Sequence, residues 1–215
     1  MCGIVGYLGN KKASKIIIDG LKRLEYRGYD SAGVSTFENN KILTTKYKGK
    51  VQYLNDKIKN KSHDGDIGIG HTRWATHGKP SDENSHPHNS LSNKISLVHN
   101  GIIENHYTLK KYLIKHGYKF KSDTDTEVLV QLIDYFHKKQ GGDFVQSVRI
   151  ALHEVVGAYG IVIMFEDEPD KLIAARLGSP LIIGIGDNEF FVASDSSPII
   201  EHTRNIVVLD EGEIA

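Results

Sequence analysis

The chain has 215 residues, 39% of them hydrophobic, and its 27 Lys and Arg residues balance 27 Asp and Glu residues. That length suits one large domain or two small ones, with a sizeable core, and the zero net charge weighs against nucleic acid or an anionic membrane as the main partner. The single cysteine forms no internal disulfide, no basic-then-apolar leader is visible, and no apolar run nears the ~20 residues of a membrane helix. The cytoplasm is therefore the expected compartment.

Taken in order, GIVGYLG (3–9) reads as a short buried strand at the terminus. Residues 11–26 follow as a helix with Ile16, Ile17, Leu21 and Leu24 on one face. RGYDSAG (27–33) is a turn-rich loop. AGVSTF and KILTTKYKG (32–49) form two strands with a hairpin at Asn39-Asn40, and 51–59 is helical. The Lys-rich stretch 41–61 reads as a solvated face without the aromatics of a single-strand binding groove.

GDIGIGHTRWATHG (65–78) runs from a strand into a loop. The polar, turn-rich stretch 79–93 is expected outside the core. KISLVHNG (94–101) is a strand ending in a turn, and 105–117 is an amphipathic helix stopped by Gly117. Thr124 and Glu127 fit a capping box opening a helix through Lys139, and Asp143 caps another to about Val155. Five strand-like runs fill the last third. Strands in blocks, rather than alternating with helices, favour a layered α+β architecture.

The chemistry centres on Cys2, the only cysteine. Loss of Met1 would leave a thiol and a free α-amine on one residue. The amine, with a reference pKa of roughly 7.7–8.0, can act as base for the thiol. Cys2 also reads as a small filler at a strand edge. A cysteine acyl transferase needs donors for its oxyanion, and His99-Asn100-Gly101 offers a side-chain amide beside a glycine in a tight turn. The same residues read equally as a plain Asn-Gly turn. Arg73 has the planar fork for a carboxylate, and Asp125 could take an ammonium or simply favour its helix dipole. His86 and His88 form a His-x-His pair, which raises a zinc hydrolase; no compact carboxylate set accompanies them, and metal would leave Cys2 unexplained. No metal and no cofactor is expected.

Six segments share one order: CGIVG (2–6), RLEYRGYDSAG (23–33), HTRWATHG (71–78), NSHPH (84–88), HNGIIENH (99–106) and SDTDTEV (122–128). GAYG (157–160) and AARLGSPLIIG (174–184) extend the match over essentially the whole chain. Together they resemble the glutaminase domain of the glucosamine-6-phosphate synthase family, class II glutamine amidotransferases. The resemblance implies the N-terminal nucleophile hydrolase fold, a four-layer αββα sandwich, with residues 1–215 as one glutaminase domain. It implies hydrolysis of L-glutamine through a thioester on Cys2, with Asn100 and Gly101 as oxyanion hole. Arg73 and Asp125 would hold the substrate's α-carboxylate and α-amine. Thr76 and His77 would line and cover the pocket, Arg27 and Tyr29 would flank the nucleophile, and Trp74 would belong to a loop that moves on closure. His86 falls near the site without a defined role. The family continues into a sugar isomerase domain, the expected partner that receives ammonia, in a homo-oligomeric enzyme. The nearest alternative is the glutaminase domain of amidophosphoribosyltransferase, whose relatives tend to carry glutamine where Tyr29 stands. A catalytically dead glutamine sensor is countered by the presence of Cys2, Arg73, Asn100 and Asp125.

Overall fold

A computed structural model describes residues 2–59, 61–74 and 78–215. The chain runs β1 (Gly3–Leu8), α1 (Ala13–Leu24), a 3-10 turn (Glu25–Arg27), β2 (Ser31–Glu38), β3 (Lys41–Lys48), α2 (Val51–Ile58) and β4 (Ile67–Arg73). It continues β5 (His88–Asn89), β6 (Ile95–Ile103), α3 (His106–Lys115), α4 (Asp125–Gln140), α5 (Phe144–His153) and β7 (Gly157–Phe165). Four strands close it: β8 (Leu172–Leu177), β9 (Ile182–Ile185), β10 (Phe190–Ala193) and β11 (Ile206–Val208).

The strands form a seven-stranded sheet, β11-β9-β10-β1-β4-β2-β3, and a four-stranded sheet, β5-β6-β7-β8. Every ladder is antiparallel. Alternation of side chains sorts the residues into three apolar layers. Val5, Tyr7 and Val34 meet Ile17 and Leu21 of α1 and Leu54 of α2. Leu97, Ile161 and Ile163 meet Leu129 and Ile133 of α4 and Phe144 of α5. Ile4, Ile67, Ile69, Val98, Val162 and Met164 fill the space between the sheets. The result is the four-layer αββα sandwich. The β2–β3 hairpin turns at Asn39 and Asn40 with φ of 51° and 61°, the left-handed pair that matches strand twist and that Asn tolerates.

Three local expectations change. The stretch 79–93 is not peripheral: Asn84, Ser85, His86, His88 and Ser90 are all buried. Each is satisfied by a partner, as burial of a polar group requires. Asn84 Nδ2 donates to Lys79 O at 3.0 Å, Ser85 Oγ to Ser81 O at 2.6 Å, and His88 Nε2 meets Thr124 Oγ1 at 3.0 Å. Second, β6 does not turn at Asn100-Gly101. It continues to Ile103 because β7 pairs with it throughout, Asn100 opposite Gly160 and Gly101 opposite Tyr159. Third, only half of the capping box forms. Thr124 Oγ1 accepts from Glu127 N–H at 3.2 Å, whereas the Glu127 carboxylate accepts from Lys121 N–H and Ser122 N–H at 3.0 and 2.7 Å.

Candidate active site

Strand β1 is paired on both sides, with β10 and with β4. Cys2, immediately before it, is thereby fixed beside Thr72, Arg73 and Trp74 at the end of β4. Trp74 N–H donates to Cys2 Sγ at 3.2 Å. Burial pushes the thiol pKa up, while that backbone hydrogen bond and the positive charges of Arg73 and Arg27 pull the other way.

From the second sheet, Asn100 Nδ2 donates to the Cys2 carbonyl at 3.1 Å. Its Oδ1 meets His71 Nε2 at 3.0 Å. Gly101 follows at φ +132°, and a Cβ there would lie 2.0 Å from the Ala158 carbonyl oxygen, so this position admits only glycine. The amide and the backbone beside it are thus mounted in a paired strand rather than a loose turn.

The charged groups come from three places. Arg73 ends β4 and is buried, its Nη2 donating to Gly78 O at 3.3 Å. Arg27, at the end of the 3-10 turn, donates from Nη1 to Ser194 O at 3.0 Å and lies 3.4 Å from Asp195 Oδ2. Asp125 is the first residue of α4, behind the Thr124 cap. Its Oδ2 accepts from Ile103 N–H at 2.8 Å and its Oδ1 from Thr126 N–H at 3.0 Å, so the buried carboxylate is aimed by backbone on both sides.

These groups share one cavity of about 230 Å³, lined by Cys2, Arg27, Arg73, Trp74, His86, Asn100, Gly101 and Asp125 among others. That is below the ~300–1,000 Å³ of sites for drug-sized ligands and suits one small metabolite. Two guanidinium groups and one carboxylate around a thiol suit a zwitterionic substrate. Tyr29 is absent from the wall: it is half exposed and packs edge-on against Trp74, ring centroids 5.8 Å apart. Thr76, His77 and Met1 lie outside the described residues. His86 stacks on His71 at 4.2 Å, and its Nδ1 accepts from His99 N–H at 3.4 Å. Burial lowers the pKa of His71 to about 3 and those of His86 and His88 well below the usual value. Among the described residues no set of three His, Cys, Asp or Glu is disposed to hold a metal.

Sequence reasoning assigned nothing to Ile102, Thr126, Ser179 and Pro180, which also line the cavity. Ser179-Pro180 sits within the AARLGSPLIIG segment, between β8 and β9, and that matching segment was the only signal for it. A larger cleft of about 500 Å³, walled by Lys46, Lys121 and Glu127, contains neither the thiol nor the Asn100 amide.

A family described as "Glutamine amidotransferase domain" matches residues 55–214. The chain is 54% identical over 213 residues to a glutamine–fructose-6-phosphate aminotransferase (isomerizing) of Clostridium tetani, covering 99% of this chain and 34% of the relative. It is 56% identical over 216 residues to the protein of that name from Bacteroides thetaiotaomicron, covering 100% and 35%. The chain therefore spans about a third of the length of the curated relatives it matches. Among solved structures, glutamine phosphoribosylpyrophosphate amidotransferase from B. subtilis superposes with a TM-score of 0.84 at 30% identity, over 99% of this chain and 46% of that one. A glutamine aminotransferase class-II domain protein from Silicibacter pomeroyi, at 15% identity and a TM-score of 0.65 over 99% and 93% of the two chains, shares the fold. With a thiol, a facing amide and opposed charges gathered at the end of the central strands, and with the family model spanning most of its length, the chain belongs to the glutamine amidotransferase domain family.

Proposed function

We propose that this domain hydrolyses the side-chain amide of L-glutamine to glutamate and ammonia through a γ-glutamyl thioester on Cys2. The observation that carries the reading is the cavity itself, where a thiol from one sheet faces an amide donor from the other between a carboxylate and two guanidinium groups. Once Met1 is removed, the Cys2 α-amine takes the thiol proton. Sγ attacks the amide carbon, and the carbonyl oxygen becomes an oxyanion held by Asn100 Nδ2 and Gly101 N–H. The proton passes to the amide nitrogen, the C–N bond breaks and ammonia leaves. Water then adds to the thioester, giving its proton to the amine; the C–S bond breaks, and the sulfur recovers that proton as glutamate departs.

Arg73 holds the substrate α-carboxylate and Asp125 its α-ammonium. Arg27 adds positive charge beside the sulfur. Trp74 covers the cavity mouth with Tyr29 braced against it from outside, and Thr76 and His77 belong to the same cover. His86 acts from within the wall by packing on His71. The ammonia serves amination of fructose 6-phosphate in a sugar isomerase domain of a longer, oligomeric cytoplasmic protein. The 54–56% identity to aminotransferases of that name favours this acceptor over phosphoribosylpyrophosphate, the choice of the structural relatives at 30%.

The test is glutamine hydrolysis by this chain, followed by an electrophilic glutamine analogue and mapping of the modified residue. We expect turnover, one label on Cys2, and loss of both in Cys2→Ala with the fold retained. Turnover near wild type in Cys2→Ala, or a label elsewhere, would refute the thioester route.

A further inference from the structure

Asn100 presents a question that its proximity to Cys2 does not answer. The terminal torsion of an asparagine amide is roughly two-fold, so rotation by half a turn exchanges Oδ1 for Nδ2 at little intrinsic cost. One orientation offers a donor to an oxyanion; the other presents a second oxygen and repels it. Something must break that tie.

The surroundings break it from both sides. The Cys2 carbonyl can only accept, so the group 3.1 Å from it is the Asn100 nitrogen. Oδ1 then faces His71 Nε2 at 3.0 Å, and a contact at that distance requires a proton on Nε2. The tautomer follows: His71 carries its hydrogen on Nε2 and leaves Nδ1 bare. His71 Nδ1 is buried and makes no hydrogen bond of good geometry, so the contact with Asn100 is the one that sets the tautomer. The ring is fixed as well as its proton. His71 lies in β4 between Ile4 of β1 and Gly33 of β2, so its backbone is paired on both flanks. The His86 ring stacks on it at 4.2 Å and 23° between planes. The His86 backbone has no room to retreat: its carbonyl oxygen would lie 2.1 Å from a Cβ on Gly33, where only glycine lets the two backbones meet.

We infer that His71 is a positioning residue, a neutral Nε2–H donor that locks the Asn100 amide with its NH₂ toward the nucleophile, and that His86 acts as the backstop for its ring. The inference rests on the proposed role of Asn100 as oxyanion donor and adds what sets that donor's direction. It gives His86 a purpose, and it explains why a fully buried imidazole follows Ile67 and Ile69 and precedes Arg73 on one strand face.

The experiment is a double-mutant cycle in glutamine hydrolysis with His71→Phe, Asn100→Ala and the pair. His71→Phe keeps an aromatic ring for His86 and removes the donor. We expect kcat to fall on the order of 10- to 100-fold, below the ~10²–10³ for loss of an oxyanion donor outright, with KM for glutamine within about twofold. In the Asn100→Ala background the His71 change should cost nothing further. An unchanged kcat in His71→Phe, a rise in KM instead, or losses that multiply in the double variant would each overturn the inference. An unchanged kcat in Asn100→Ala would instead remove the oxyanion reading on which it stands. If His71→Phe does not fold, His71→Leu is held to the same criteria.

Discussion

On the face that looks across to the other sheet, β4 reads Ile67, Ile69, His71, Arg73, and β6 reads Ser96, Val98, Asn100. Along β4 hydrocarbon gives way to polar groups as the cavity is reached, and on β6 Asn100 follows Val98 there, with one buried polar pair, Ser96 and Ser35, farther back. The apolar end, with Ile4, Val162 and Met164, is held by contact area and volume, and a similar hydrocarbon could replace any member at modest cost. At the polar end buried side chains answer to specific partners: His71 to Asn100, His99 to Thr126, His88 to Thr124, Asp125 to Ile103. One layer therefore contains a region that tolerates substitution and a region that specifies geometry. Damage to the first should appear as lost stability, and damage to the second as lost chemistry.

The largest separation is expected from Ile69→Ala. A fully buried isoleucine cut to alanine costs about 2–5 kcal/mol of folding free energy. Denaturant titration should show that loss while kcat and KM per folded molecule stay at wild-type values. A parallel fall in kcat would mean that the two ends of the layer are coupled.

Asp125→Asn probes the polar end. The amide oxygen still accepts from Ile103 N–H and the Thr124 cap remains, whereas the bond from Thr126 N–H and the charge for a substrate ammonium are gone. Loss of a charged hydrogen bond of about 1.5–3 kcal/mol should raise KM for glutamine on the order of 10- to 100-fold with kcat little changed. If KM does not move, Asp125 serves only as a helix-start carboxylate.

The smallest effect per residue is on pH. Burial depresses the pKa of His71, to about 3, and of His86 and His88, below the ~6.5 of an unfolded histidine. Below pH ~6.5 the unfolded chain binds protons that the folded chain refuses, so stability falls as pH drops from there toward the folded values. The slope is up to about 1.4 kcal/mol per pH unit for each histidine that stays neutral. Urea midpoints at pH 7, 6 and 5 should decline in that order. A flat series would mean that these rings take up protons in place, and the polar end would then be wetter than its burial implies.

Much of the architecture was legible because it depends on short-range pattern. Alternation and turn residues marked the strands of the last third, the Asn39-Asn40 turn, and the Thr124 and Asp143 helix caps. Eight of the eleven residues singled out for the site prove to share one cavity wall: Cys2, Arg27, Arg73, Trp74, His86, Asn100, Gly101 and Asp125. What stayed hidden depends on partners distant in sequence. Residues 84–90 look like surface because their composition is polar; only the groups that satisfy them, such as Asp123 N–H for Asn84 Oδ1 at 3.0 Å, make burial affordable. Asn100-Gly101 looks like a turn until β7 supplies a ladder for it. Tyr29 lies close in sequence to Arg27, yet its ring is half exposed and packs against Trp74 instead of lining the cavity.

Chain termini ordinarily fray first, because few contacts restrain them. Here the mount of Cys2, the proposed nucleophile, is β1, an interior strand of the larger sheet with a ladder on each side. Peeling it away would divide that sheet in two, so no inexpensive local opening releases the strand. In the language of partial unfolding, the strand that carries Cys2 belongs to the unit that opens last. The Cys2 thiol is thus aligned by the cooperative stability of the whole domain rather than by the local stiffness of a loop.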